Sequence, residues 1–276
     1  MRFISLFLVF LLLISTAAAE SLSLEEMLSA QDAAMMEDSD HDLIMPESAA
    51  PAPQSGEESP PAVPSSPARE DLISRILATA QELHDKAGGR AQRAQYSGDI
   101  YICKNFSVHL FRENCGDFRM AQYPGVPLVI PNNQKKADCA PYVYGVEWQD
   151  VPADEGNPFY AAASFRYDEG LSKEENQQIA RAFLKQAQRG DYFQMAANYY
   201  YGVGAHSMVF TADYNPETDT VRWTDSNMKG KSVGGERFAY VQFDAEKDID
   251  WFVDAFCRRK YGATIYRLRN DIIYAE

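Results

Sequence analysis

An α+β domain is what this 276-residue sequence predicts. Two capped or turn-bounded segments carry apolar residues at helical spacing. After residue 190 come short strand-like segments joined by a hairpin turn. Helices ahead of a run of antiparallel strands make this class.

The first helix begins at Ser66-Pro67, a cap residue followed by a proline suited to the first turn. Leu72, Ile73, Ile76, Leu77, Ala80 and Leu83 then recur at helical spacing, and Gly88-Gly89 ends the segment, so a helix over 67–88 is expected to pack on the domain. Past Tyr96-Ser97-Gly98-Asp99, a second amphipathic stretch opens at Ile102-Cys103-Lys104-Asn105-Phe106. Phe106, Leu110 and Phe111 follow Cys103 by three, seven and eight residues, which places all four on one helical face.

Cys115 to Pro158 is rich in Gly, Pro, Asn and aromatic residues and reads as long loops with short strands such as Tyr142 to Trp148. Ser172-Lys173-Glu174-Glu175 is a capping box that starts a helix carrying Ile179, Ala182, Phe183 and Ala187 and ending before Gly190. Gly190-Asp191 turns into a strand. Met208 to Tyr214, the turn Asn215 to Asp219, and Thr220 to Asp225 form an antiparallel hairpin. A last helix includes Trp251, Phe252, Ala255 and Phe256, and Thr264 to Tyr274 supplies one or two final strands.

The chain before residue 67 has another character. Met1-Arg2-Phe3 carries one positive charge, Ile4 to Ser15 is almost wholly apolar, and Thr16 to Glu20 offers small residues for cleavage after Ala19. That is the pattern of a secretory signal peptide, residues 1–19, and its apolar run is shorter than the roughly 20 residues that span a bilayer. A periplasmic or secreted mature protein without an integral membrane segment is expected. Residues 20–66 hold eleven acids, no Lys or Arg, and six prolines from Pro46 to Pro64. Such sequence cannot bury enough apolar surface to offset its ordering entropy and reads as a disordered, self-repelling spacer.

Removing those eleven from the 40 acids, and Arg2 from the 26 bases, leaves 29 against 25 over residues 67–276. The net charge of −14 therefore belongs mainly to the spacer. Nothing resembles the basic footprint of a nucleic-acid binder. The remaining residues suffice for one domain with a substantial core.

Chemistry concentrates in three places. Cys103 heads a predicted helix, where the partial positive charge of the N-terminus favours a thiolate. Gly204-Ala205-His206-Ser207 leads into a strand, so His206 is placed to project toward that helix end. Asp225 and Asn227, two apart, face one side of the neighbouring strand. One can orient the His206 ring and the other shape the site. Asp225 is favoured, because a carboxylate also stabilises an imidazolium. The Cys103 backbone amide is a natural oxyanion donor. His41 falls in the spacer, His84 on the exposed side of the first helix, and His109 turns away from Cys103. No paired His or Cys spacing suggests a metal, and no cofactor is expected.

Cys103-x-x-Phe106 opening a helix, a later helix followed by Gly190-Asp191 and a strand, Gly-x-His206 opening the next strand, and then Asp225-x-Asn227 resemble the NlpC/P60 and CHAP branch of papain-like cysteine peptidases. The likeness covers roughly Tyr96 to Met228. It implies a papain-like α+β fold with helices packed on an antiparallel sheet. It also implies cleavage of amide bonds in cell-wall peptide, so peptidoglycan is the implied substrate. Cys103 would be nucleophile, His206 general base and Asp225 the third member, with Asn227 a polar neighbour. The commonest NlpC form has Asp-Cys-Ser-Gly-Phe where this chain has Ile102 to Phe106, and the Asp225-x-Asn227 end looks more like CHAP. A transglutaminase-like site lacks its His-Ala-Trp signature here, and a lecithin–retinol type acyltransferase would place histidine before cysteine. The other class of function is a non-catalytic papain-like module that binds or regulates within the cell envelope.

Of the other cysteines, Cys115 and Cys139 lie in loop-rich sequence and are the expected disulfide of an oxidising compartment. Cys257 falls among Phe252, Phe256 and Tyr261 and reads as a buried helical thiol. Asp191 is expected to serve a turn, and Tyr199-Tyr200-Tyr201 either lines a groove or packs.

Overall fold

A computed structural model describes residues 65–88, 100–101, 103–129, 152–196, 206–228, 238–260 and 262–276. The signal peptide, most of the spacer, the strand expected at Tyr142 to Trp148, Cys139 and the Tyr199 to Tyr201 run lie outside these residues.

Helix α1, Pro67–Ala87, starts where its cap predicts: the Ser66 side chain accepts from the Arg69 amide, and Gly88 ends the helix in the left-handed conformation. Helix α2, Cys103–Asn114, has Cys103 as its first residue and buries Phe106, Val108, Leu110 and Phe111. Strand β1, Phe118–Met120, and a short 3-10 turn at Ala153–Glu155 lead into β2, Phe159–Arg166. Helix α3, Lys173–Leu184, has a complete Ser172–Glu175 capping box.

Strands β3, Tyr192–Ala196, β4, His206–Phe210, β5, Thr220–Met228, and β6, Ala239–Asp248, then run directly into helix α4, Ile249–Arg259. Strands β7, Gly262–Leu268, and β8, Ile272–Tyr274, end the chain. Among the described residues no helix is long and apolar enough to cross a membrane.

The class is α+β. Six strands form one antiparallel sheet in the order β2-β7-β3-β4-β5-β6, and β1 pairs with β8 in a separate two-stranded ribbon. Strand periodicity divides the buried side chains between two cores. Tyr192, Val209, Tyr266 and Leu268 join α1 and α2 in the first core. Phe193, Phe210, Trp223 and Ile265 join α3 and α4 in the second.

Helix α1 is a full core element, since Leu72, Ile73, Ile76 and Ala80 are each 1 % exposed or less. It also fixes the turn into β3. Gly190 has φ 85°, and a Cβ there would lie 2.6 Å from Ile73 Cγ1, so the helix and turn approach too closely for a larger residue.

Several expectations need correction. On α3, Phe183 is buried as expected and so is Ala187 just beyond its end, but Ile179 and Ala182 are exposed and Ala180 and Leu184 face the core in their place. The apolar arc is therefore rotated, because its boundary is set by the α4 side chains it meets. Cys115 is a free, buried thiol rather than half of a disulfide with Cys139; it caps the end of α2, its amide bonded to Phe111 O at 3.0 Å. Cys257 is buried in α4, as expected. His84 is half-buried rather than exposed, its ring centroid 6.4 Å from that of Phe243.

Strands β2 and β6 went unpredicted. In β2 the half-buried run Tyr160 to Ala163 does not alternate between apolar and polar residues and so blurs the mark of a strand. Strand β6 carries an extra residue where Trp223 pairs with Ala245 but Asp225 with Gln242. Asp244, at φ 57°, takes up the bulge. Because the extra residue lies on β6, the alternation of β5 is unbroken, and Asp225 and Asn227 keep one face.

Candidate active site

Strand β5 starts as an ordinary buried strand, with Val221 and Trp223 in the second core. It then runs through Thr224, Asp225, Ser226 and Asn227, four polar residues in succession, all 3 % exposed or less. Burying a polar group costs free energy unless it finds a hydrogen bond. The partners here are specific. Thr224 Oγ1 donates to Gln242 O at 2.7 Å, and Ser226 Oγ donates to Tyr101 O at 2.6 Å.

Strand β4 supplies the histidine. The hairpin register sets Val209 against Thr224 and Phe210 against Trp223. Continued along the strands, it puts position 206 opposite 227 and diagonal to 225, within side-chain reach. His206 Nε2 lies 2.7 Å from Asp225 Oδ2, and both residues are fully buried. A carboxylate only accepts, so Nε2 carries the proton in this bond. Asp225, not Asn227, orients the ring. Asn227 is buried beside it and pairs in register with Tyr240.

Helix α2 packs on β4 and β5 and brings its first residue, Cys103, to the same place. Cys103 is partly exposed where its two partners are buried. With Nε2 engaged by Asp225, Nδ1 is the ring nitrogen that faces a thiol. It makes no hydrogen bond of normal geometry, yet the thiol is close enough to influence the ring's protonation. Asp225 Oδ1 is likewise buried without a hydrogen-bond partner.

The electrostatics follow from this arrangement. Burial alone pushes the imidazole toward its neutral form. The Asp225 hydrogen bond and then the Cys103 contact act the other way and prevail, so the His206 pKa is pushed up from 6.5 to about 9. At neutral pH the ring is an imidazolium, held by a carboxylate on one side with a thiol on the other. The backbone amides of the first turn of a helix are suitable donors to an oxyanion.

One buried side chain that sequence reasoning missed, Gln194 on β3, holds the backbone of this histidine. Its Nε2 donates to His206 O at 3.1 Å and Met195 O at 2.8 Å. Its Oε1 accepts from Ser207 Oγ at 2.7 Å and Tyr192 Oη at 3.0 Å. A partial signal for this shell exists in the sequence: Thr224 to Asn227 are four successive polar residues, but Asp, Ser and Asn are also turn formers, so the run reads equally well as the end of the strand. Gln194 and Ser207 have no such mark.

Other candidates fall elsewhere. His109 faces Glu113 at 3.6 Å, one helical turn along α2. Asp191 is a turn residue, accepting from the Gln188 amide at 2.9 Å, and is also fully buried against Arg267 at 2.7 Å. Among the described residues, Asp219, Asp248 and Asp250 bring carboxylates together, but Arg181 pairs with Asp219 and Asp250, and Asp248 caps α4. Those contacts account for the cluster without a metal. No known protein family, curated protein or solved structure matches the chain.

Proposed function

We propose that this protein is a cysteine hydrolase, an amidase or endopeptidase with a papain-like fold, acting on peptide amide bonds of the cell wall. The observation that carries the proposal is a buried imidazole held by Asp225 at 2.7 Å and adjoining a cysteine at the start of a helix. The substrate class rests on the sequence alone, on the resemblance to NlpC/P60 and CHAP enzymes and on the export signal.

In this reaction the Cys103 proton resides on His206, and the thiolate attacks the amide carbonyl carbon. A C–S bond forms and the carbonyl π pair moves to oxygen, where amides of the first turn of α2 can receive it. Collapse of this intermediate breaks the C–N bond, and the leaving amine takes the His206 proton. Neutral His206 then removes a proton from water, which attacks the thioester and releases the carboxylic acid and the thiolate. Asp225 holds the ring in place throughout and stabilises the imidazolium in the stages where it forms.

The test is Cys103→Ala, assayed on purified peptidoglycan by release of new amino termini. Hydrolysis and labelling by an active-site thiol reagent are both expected to vanish. Equal hydrolysis by this variant would eliminate the nucleophile. A second proposal, a non-catalytic envelope module, draws on the complete burial of His206 and Asp225, which suits a retained structural pair. It requires wild-type protein to bind peptidoglycan and leave its peptides uncut.

A further inference from the structure

The residues that place the nucleophile against its base are not part of the triad. Cys103 and the His206–Asp225 pair come from different layers of the fold, one from a helix and the other from the sheet. A side-chain hydrogen bond joins the segment that enters α2 to the strand that carries Asp225. Ser226 Oγ donates to Tyr101 O at 2.6 Å, across 125 positions of sequence. Ser226 is fully buried and Tyr101 is 9 % exposed. Ser226 follows Asp225 directly, and Tyr101 stands two residues before Cys103.

Apolar packing of Phe106, Leu110 and Phe111 fixes how α2 lies on the sheet, but such contacts are non-directional and tolerate sliding. A short buried hydrogen bond is directional and locks one register. The partner is a backbone carbonyl, so the tether acts on the path of the chain entering α2 and not on a mobile side chain. Its other end is anchored too, because neighbouring Thr224 donates to Gln242 O and Asp225 holds His206.

We propose that Ser226 is a positioning residue for the thiol–imidazole couple, setting the separation of Cys103 from His206 through its bond to Tyr101. This rests on the cysteine-hydrolase proposal above. Ser226 touches no reacting atom, and its effect is transmitted through the chain at Tyr101.

The experiment compares Ser226→Ala with the full-length wild-type protein. The rate of iodoacetamide alkylation is followed at the peptide containing Cys103 by mass spectrometry, at pH 6 and at pH 10, together with the thermal midpoint. Loss of alignment is expected to lower the rate at pH 6 by about tenfold or more, since sub-ångström to ångström misplacement in an active site has effects of that order. The rate at pH 10, where thiols ionise without help, is expected to stay within about twofold. Ser226→Thr, which keeps the hydroxyl, is expected to restore the pH 6 rate. Should Ser226→Ala not fold, Ser226→Cys keeps the volume, weakens the donor and carries the same comparison.

A purely structural role would move the thermal midpoint and leave the ratio of the two rates unchanged, and that result overturns the proposal. A threonine variant as slow as the alanine one overturns it as well, because volume and not the hydrogen bond would then be responsible. Wild-type Cys103 that reacts only in the ordinary thiol range, near about pH 8.5, overturns both the positioning role and the catalytic proposal. A normal wild-type profile with an unaffected Ser226→Ala overturns the positioning role alone.

Discussion

The sheet buries two regions equally well by opposite means. Against α3 and α4 it presents rings: Phe193 and Phe256 stack at 6.1 Å, Phe165 and Phe256 at 5.6 Å, and Trp223 meets Phe252 edge-on at 5.3 Å. Where β4 begins and β5 ends it presents His206, Ser207, Thr224, Asp225, Ser226 and Asn227, none more than 3 % exposed. The aromatic region gains stability from area removed from water, whatever the fine alignment of its rings. The polar region must satisfy its groups one by one, and each bond it makes also fixes a position. It leaves His206 Nδ1 and Asp225 Oδ1 without hydrogen bonds. Trp223 Nε1 in the aromatic region is likewise buried without a hydrogen bond, so the two regions differ in how many polar groups they must bond and not in whether every one is bonded.

That contrast can be broken most severely at Asp225. Asp225→Asn keeps the shape and removes the charge that stabilises the imidazolium, so kcat on peptidoglycan is expected to fall roughly 100-fold to 10,000-fold. The fold is expected to survive, as checked by circular dichroism. A variant that kept its kcat would make the polar region structural, like its aromatic counterpart.

The converse experiment is Phe193→Ala. Its ring meets Phe183, Phe210 and Phe256, so urea titration should register a loss of about 3–5 kcal/mol. The kcat of the remaining folded fraction should be unchanged. A selective loss of kcat would show that the aromatic face contributes to alignment as well as to stability.

The pH dependence of stability sharpens the same comparison. The folded-state pKa of His206 is raised from 6.5 to about 9. The native state therefore holds a proton more tightly than the unfolded chain. The resulting stabilisation is fully present below about pH 6.5 and is lost as pH rises through about 9. Urea midpoints of wild type and Asp225→Asn should thus differ most at the acid side of this window and converge toward its alkaline end. A constant difference across it would mean that the ring is not an imidazolium at neutral pH. Phe193→Ala should show no such window.

The smallest effect is expected at the exposed N-terminal end of α3. Ser172→Ala removes the α3 cap, in which Ser172 Oγ accepts from the Glu175 amide at 3.2 Å. It should cost about 1 kcal/mol in urea titration and leave Cys103 alkylation unaltered. A change in alkylation would connect α3 to the site through the sheet.

What the sequence determined alone was local. Ser66, Pro67 and Gly88 bound α1 because caps act on amides and carbonyls within a turn of themselves. Ser172 and Glu175 start α3 for the same reason, and the Asn215–Asp219 turn brings β4 and β5 together because few residues separate them. Cys103 and His206 were legible because each is the first residue of its element, whereas Asp225 lies inside β5 and was legible through the spacing it shares with Asn227. The tertiary structure decided what depends on distant neighbours. It inserted β7 between β2 and β3, paired β8 with β1, turned Ile179 outward, and left Cys115 a thiol. It also chose Asp225 over Asn227 as the partner of His206, through a register that no residue in β5 specifies by itself. The bond from Ser226 to Tyr101 is of this second kind: a hydroxyl in a strand has many possible acceptors, and only packing of α2 on the sheet brings this carbonyl within 2.6 Å.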